Sequence, residues 1–375
     1  MNIILASKSP RRTEILNLIC STLTYLPGDI RKIPVIEDLN IMEKVIELVN
    51  ENINISRNEW DSYEMSWDFE KHPFIKYKQC SIEKTYNEWN KITKERFNKL
   101  KTNEEEINKI FINIYGLQDE LDSKVEDKDI TIRQANKERE IKSLISYAVG
   151  CMFGRYSLDE SGLVYAGGEF DSNRYKTYKA DIDNIIPITD DGYFNDDIVE
   201  RFKKFIEVVY GKETLNENID YIAETLGKKG TETSEDTIRR YFVNDFFNDH
   251  VRTYQKHPIY WLFDSGKKNG FKALIYMHRY NENLIPKVRL DYLHKLQTTY
   301  EKLLTDVNYK LTTDLSMQEK KMTQLKQTEL NAKLQEIREY DEKIAHIANQ
   351  RISIDLDDGV KVNYDKFKDI LAKIK

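Results

Sequence analysis

Cysteine is scarce. The three in 375 residues, Cys20, Cys80 and Cys151, lie far apart, with no Cys-x-x-Cys pair and no histidine at ligand spacing. Neither a disulfide framework nor a zinc site is supported. Long apolar runs are also missing: nothing approaches the roughly 18 uncharged apolar residues of a membrane-spanning helix, and Met1 to Ala6 is too short an apolar start for a secretory signal. A cytoplasmic protein without a membrane partner is the expectation. Only 14 glycines and 7 prolines break the chain, so most of it is predicted to be helical. No repeat of fixed period occurs, which argues against a solenoid. A Gly-x-x-x-x-Gly-Lys-Ser/Thr phosphate loop is absent, and Gly227-Lys-Lys-Gly230 reads as a loop ending a helix.

What the sequence does have is charge and aromatic surface. Lysine and arginine number 58 and acidic residues 64, for a net charge of -6, and 11% of residues are aromatic, 23 of them tyrosine. That is enough apolar area for two or three packed regions. The charge is segregated: residues 151–235 hold 18 acidic and 10 basic side chains, residues 265–310 hold 4 and 9. Overall the pattern predicts a mainly α (α+β) fold, helical domains with small β-hairpins and an antiparallel helical hairpin.

Along the chain, Thr22 to Val35 reads as two extended pieces around the Pro27-Gly28 turn. Residues 37–150 read as helical, with Ile41, Val45, Ile46 and Val49 forming one stripe and Ile107, Ile110, Phe111 and Ile114 another. Trp60, Trp67 and Trp89 are expected to anchor helix packing. Residues 151–285 form an α+β region with a short strand at Gly162 to Gly167. His257 to His278 reads as strand, turn, strand, its tip Asp264-Ser-Gly-Lys-Lys-Asn-Gly270 rich in turn residues. Residues 286–350 carry coiled-coil spacing through Tyr300, Leu304, Val307 and Leu311, then Leu330, Leu334, Ile337 and Ile344. Ser316 and Glu319 have the spacing that caps a new helix, so the segment should fold back on itself. In residues 351–375, Ile352 to Tyr364 alternates about Asp358-Gly359, predicting a β-hairpin before a terminal helix.

Candidate chemistry is sparse. The Asp-Asp-Gly triplets ending at Gly192 and Gly359 could bind a divalent cation, but turn chemistry explains both more simply. The six histidines are scattered, and His278 sits in an aromatic, structural setting. The better candidate is a basic and aromatic cluster: Lys267, Lys268, Lys272 and Arg279 among Tyr260, Trp261, Phe271, Tyr276 and Tyr280. Cations neutralise phosphates and aromatic faces stack on bases. A strand pair must also turn alternate residues inward, which assigns Trp261 to a core. The acidic balance of residues 151–235 would confine nucleic-acid contact to one face.

Several long motifs in one order carry a resemblance. Ser146 to Asp159 with Gly162 to Gly168, His257 to Lys267, and Ile354 to Tyr364 resemble the C-terminal region of the PglX adenine-specific DNA methyltransferases of BREX phage-defence systems. Leu23 to Val35 resembles the segment that closes the specificity region of such enzymes, so residues 1–36 are expected to be a remnant of that target-recognition domain. The resemblance implies methyl transfer from S-adenosylmethionine to adenine N6, with double-stranded DNA and other defence-system subunits as partners. The expected DNA contacts are Arg31 and Lys32 with Lys267, Lys268, Lys272 and Arg279 of the basic and aromatic cluster. The adenine pocket of that chemistry uses an Asn/Asp-Pro-Pro-Tyr/Phe motif. Here the seven prolines follow Ser, Leu, Ile, His, Ile, His and Ile, and no glycine-rich cofactor turn follows a strand. The chain is therefore expected to be a noncatalytic C-terminal part of such an enzyme, with no cofactor and no catalytic residue of its own. A helical protein-docking scaffold without DNA contact is the alternative. Ile3 to Arg12 is similar to the start of Maf-type nucleotide pyrophosphatases, but the likeness ends by about residue 19 and the later acidic residues of that family are not found.

Overall fold

A computed structural model describes residues 39–374, which fall into two compact units. The Pro27-Gly28 turn, the Maf-like stretch, Arg31 and Lys32 lie outside the described residues.

The first unit comprises residues 39–66 and 87–136. Helix α1 (Leu39–Trp60) lies along helix α2 (Ile82–Tyr115), whose first turns belong to the second unit. Asn103 of α2 donates its amide to Glu51 Oε2 (2.8 Å) and Asn52 Oδ1 (2.9 Å), while Lys44 meets Glu106 at 2.6 Å. Phe97, Leu100, Val125, Ile130 and Ile132 form the core, with Ile55 against it. The single stripe predicted for α1 is split in two. Ile41 and Val45 are half-buried, whereas Ile46 and Val49 are exposed, because a flanking helix claims only one side of a cylinder. The tryptophan expectation is corrected in the same way. Trp89 is buried, but Trp60 falls on the outward side of α1 and Trp67 stands fully exposed in the turn that follows.

The second unit comprises residues 67–86 and 137–374. Its central helix α3 (Lys137–Phe153) buries Ile141, Leu144, Ile145, Tyr147 and every residue from Ala148 to Phe153, so it is enclosed on all sides. Four shorter helices follow: α4 (Ile198–Tyr210), α5 (Leu215–Thr225), α6 (Ser234–Asn244) and α7 (Phe246–Thr253). Asp197 caps α4 by accepting the Val199 amide at 3.0 Å, and Thr233 with Asp236 forms a capping box on α6. The sheet is antiparallel, in the order β1 (Ile186–Pro187), β3 (Lys272–Tyr276), β2 (Tyr260–Asp264). Tyr260 pairs with Tyr276 and Leu262 with Leu274. Both faces are covered. Tyr260 stacks on Phe153 from one side, and Trp261 meets Tyr364 and Phe367 on the other.

After a short π-helical stretch, Val288–Leu293, helices α8 (His294–Lys310) and α9 (Met317–Gln350) form the predicted helical hairpin. Ser316 and Glu319 cap α9 reciprocally. Lys333 on α9, itself 5% exposed, reaches Asp190 Oδ2 at 2.6 Å, and the Tyr300 hydroxyl donates to Asp190 Oδ1 at 2.7 Å. Burial works against the Asp190 charge, but these two donors hold its carboxyl below the ordinary range. Arg289 grips Asp341 in bidentate fashion at 2.7 and 2.8 Å.

Two predicted extended segments are not strands. Gly162 to Gly167 is irregular, tied to the body where the Val164 amide meets the Arg155 carbonyl at 2.9 Å. Ile352 to Tyr364 forms no β-hairpin. Leu356–Asp358 is a 3-10 turn, Gly359 takes φ +82°, and helix α10 (Val360–Asp365) begins there. Tyr364 in the last turn of α10 and Phe367 in the turn just after it both pack on Trp261, and this packing overrides the local alternation. Residues beyond α10 return to the sheet, where the Ala372 amide donates to Leu262 O at 2.8 Å. Among the described residues no helix is long and apolar enough to cross a membrane.

Candidate nucleic-acid interface

The tip between β2 and β3 is held by one carboxylate. Glu336 of α9 accepts the Ser265 hydroxyl (2.7 Å) and the backbone amides of Lys268 (2.8 Å) and Gly270 (3.0 Å). Such charge-assisted bonds are about twice as strong as neutral ones. Glycine is required at position 266, where φ is +142° and a Cβ would lie 2.7 Å from Glu336 Oε2. A loop of this kind has little freedom to move, and it presents Lys267 and Lys268 to solvent. Both side chains are exposed and neither has an ion-pair partner among the described residues.

Lys272 and Arg279, expected beside them, are engaged elsewhere. Lys272 is buried, 8% exposed, and its Nζ donates to Val243 O at 2.7 Å. Its nearest ion-pair partner, Asp264 Oδ2, is 4.0 Å away, and Glu336 adds a second negative charge nearby. Burial lowers the lysine pKa and raises that of Asp264, so the pair is weakly coupled and cannot reach a phosphate. Arg279 is half-buried and donates to three carbonyls, Phe153 O (3.1 Å), Asp181 O (2.8 Å) and Ile182 O (3.2 Å), with its guanidinium 3.7 Å from the Phe170 ring centroid. It ties the end of α3 to the segment before β1. A period of two puts Lys272 on either face of a strand, and only the tertiary cover of that face decides its role.

A second cationic group was not foreseen. A cleft of about 780 Å³ is lined by Lys176, Lys179, Arg201 and Lys287 together with Asp181 and Asp183. Arg201 meets Asp181 at 3.3 Å and Lys287 meets Asp183 at 3.1 Å. Burial, with a hydrogen bond to Asp183, pushes the Asp181 pKa well above the carboxylate range. Lys176 and Lys179 are exposed and have no ion pair among the described residues. Their signal is the run Arg174-Tyr-Lys-Thr-Tyr-Lys179, the same basic and aromatic interleaving as the hairpin, concealed by the acidic average of its surroundings.

A seat for S-adenosylmethionine and an extruded adenine does not fit the described residues. Pro73, Pro187, Pro258 and Pro286 follow His72, Ile186, His257 and Ile285, and the sheet is antiparallel with no glycine-rich turn into a helix. The two glycines at the end of α3 are closed over by aromatic rings. A Cβ on Gly150 would lie 2.4 Å from Tyr156 Cδ2, and one on Gly154 would lie 2.8 Å from Phe170 Cε2. They admit side chains, not a ligand. No group of three or more His, Cys, Asp or Glu among the described residues is placed to hold a metal ion.

Aromatic-walled glycines, a clamped basic hairpin and the 3-10 turn that leads into α10 are the local forms of the three motifs that carried the resemblance, and the chain is homologous to adenine-specific methyltransferases along nearly its whole length. It is 43% identical to the adenine-specific methyltransferase PglX of Lacticaseibacillus casei (strain Zhang), over 94% of this chain and 30% of that protein. It is 38% identical to the adenine-specific methyltransferase BrxX of Escherichia coli O9:H4 (strain HS), over 96% of this chain and 32% of that protein. The chain thus spans about a third of the length of the curated relatives it matches. No family model matches the sequence.

Proposed function

We propose that this chain is a noncatalytic, C-terminal part of a PglX-like adenine-specific methyltransferase of a BREX phage-defence system, acting in the cytoplasm to support the enzyme's hold on duplex DNA. The methyl donor of the whole enzyme is S-adenosylmethionine, bound by portions that this chain does not contain. The supporting observation is the clamped tip, where two unpaired lysines stand on a loop fixed by Glu336. A loop already ordered loses little entropy on binding, so its charges act on phosphates at small cost. The acidic surroundings of residues 151–235 repel DNA and confine contact to such projecting cations.

The purified chain is titrated with a labelled duplex at several salt concentrations. Replacing Lys267 and Lys268 with alanine is expected to weaken binding and reduce the slope of log K against log salt by up to about 2, near 0.9 per phosphate contact. Unchanged affinity and slope remove the tip from the interface. In the same preparation, tritiated S-adenosylmethionine is expected to leave no label on the duplex, and transfer by this chain alone would overturn the noncatalytic reading.

A further inference from the structure

Helix α1 carries an apolar stripe that nothing among the described residues covers. Leu39, Met42, Ile46, Val49, Ile53 and Trp60 follow one another at steps of three and four, with Ser56 filling the single gap, and the six apolar side chains are 38% to 77% exposed. This is a heptad seam. Leu39, Ile46, Ile53 and Trp60 take its a positions, and Met42, Val49 and Ser56 its d positions. The helix is 22 residues long, about 33 Å at 1.5 Å per residue. Its opposite side is already occupied: Lys44 and Glu51 pair with Glu106 and Lys99 of α2, and Ile55 packs on the core. The seam therefore contributes nothing to the unit's own packing, and a continuous exposed stripe of this length marks a contact surface.

We propose that α1 docks a second copy of this chain, the two α1 helices pairing antiparallel about a two-fold axis. In an antiparallel pair each a residue faces a d residue. Setting Ile46 opposite Val49 of the second copy places Met42 opposite Ile53 and Leu39 opposite Ser56, and symmetry repeats each layer. The flanking charges agree with this register. The e positions are Glu43, Asn50 and Arg57; all three are exposed, and Glu43 and Arg57 have no ion pair among the described residues. With Ile46 on Val49, Glu43 falls beside Arg57 of the second copy, twice in the dimer. A parallel pair would set e against g instead. The g positions are unavailable: Asn52 is bonded to Asn103, and Glu59 accepts the Arg133 amide and the Tyr63 hydroxyl.

Light scattering on the full chain at about 50 μM, above the micromolar range of modest interfaces, is expected to give twice the 44.5 kDa monomer mass. Ile46→Glu with Ile53→Glu should return the monomer with unchanged circular dichroism, since both side chains are exposed. Glu43→Arg alone should weaken the dimer about tenfold by opposing like charges, and adding Arg57→Glu should restore it. A native chain that is monomeric at this concentration overturns the proposal, whether the stripe then proves free or covered by another segment. So does a dimer indifferent to the double glutamate variant. Failure of the reversed pair to restore the dimer overturns the antiparallel register.

Discussion

His250 is almost wholly buried, 3% exposed, and its Nε2 accepts the Ile259 and Tyr260 amides, each at 3.1 Å, where the chain enters β2. That role requires a neutral ring protonated on Nδ1, and Nδ1 has no hydrogen-bond partner among the described residues. Burial, reinforced by the charge of Arg155, pushes the pKa down to about 3. In the unfolded chain the same imidazole titrates near 6.5. The folded ring thus stays neutral while the unfolded one takes up a proton, so stability is full above about pH 6.5 and is lost as the pH falls toward 3. Between pH 7 and pH 5 this one side chain should remove about 2 kcal/mol of stability. His250→Asn keeps an acceptor near the two amides and cannot titrate. The variant will be less stable at pH 7 because the smaller side chain leaves a void, but the comparison is of slopes. Urea unfolding of both proteins at pH 7 and pH 5 should show a loss smaller by about 2 kcal/mol in the variant, every other titrating group being common to both. Equal losses would refute the argument that His250 is held neutral by the β2 amides.

Glu336→Ala leaves the Lys268 and Gly270 amides without their acceptor. Their hydrogen exchange, read by NMR or mass spectrometry, should accelerate about 10- to 100-fold, as expected for a bond to a charged acceptor worth about 1.5–3 kcal/mol; unchanged protection would mean the turn holds itself. Gly150→Ala places a methyl group 2.4 Å from Tyr156 Cδ2, where Tyr156 is also stacked on Tyr147. The expected cost is about 1–3 kcal/mol, seen as a lower melting temperature, and an unchanged melting temperature would show that the ring stack can yield.

The parts of the fold that depend on neighbours in sequence were legible. Ser316 and Glu319 announced the start of α9 because a capping box is a contact of three residues' reach. The β2–β3 hairpin and the burial of Trp261 followed from alternation and turn chemistry. What failed was decided at long range. Lys272 is buried because Val243, 29 positions earlier, offers its carbonyl. Arg279 is drawn to carbonyls about 100 residues away, at Asp181 and Ile182. The alternation from Ile352 to Tyr364 met the local requirement for a hairpin, yet Trp261 supplied a surface that a short helix fits better. At the candidate interface, the sequence located the loop that carries charge but not which of its cations point outward, since Glu336 sets that from another element.

The closing residues of the chain have a protective consequence. Leu371 bridges to Phe263, and the Asp264 and Ala372 amides are satisfied by Ile370 O and Leu262 O. The outer rim of β2 is thereby sealed by the polypeptide's own tail, leaving no open ladder for a foreign strand to join. Clipping residues 370–374 would leave Tyr364 and Phe367 on Trp261 but unmask that rim, opening the molecule to self-association by strand addition.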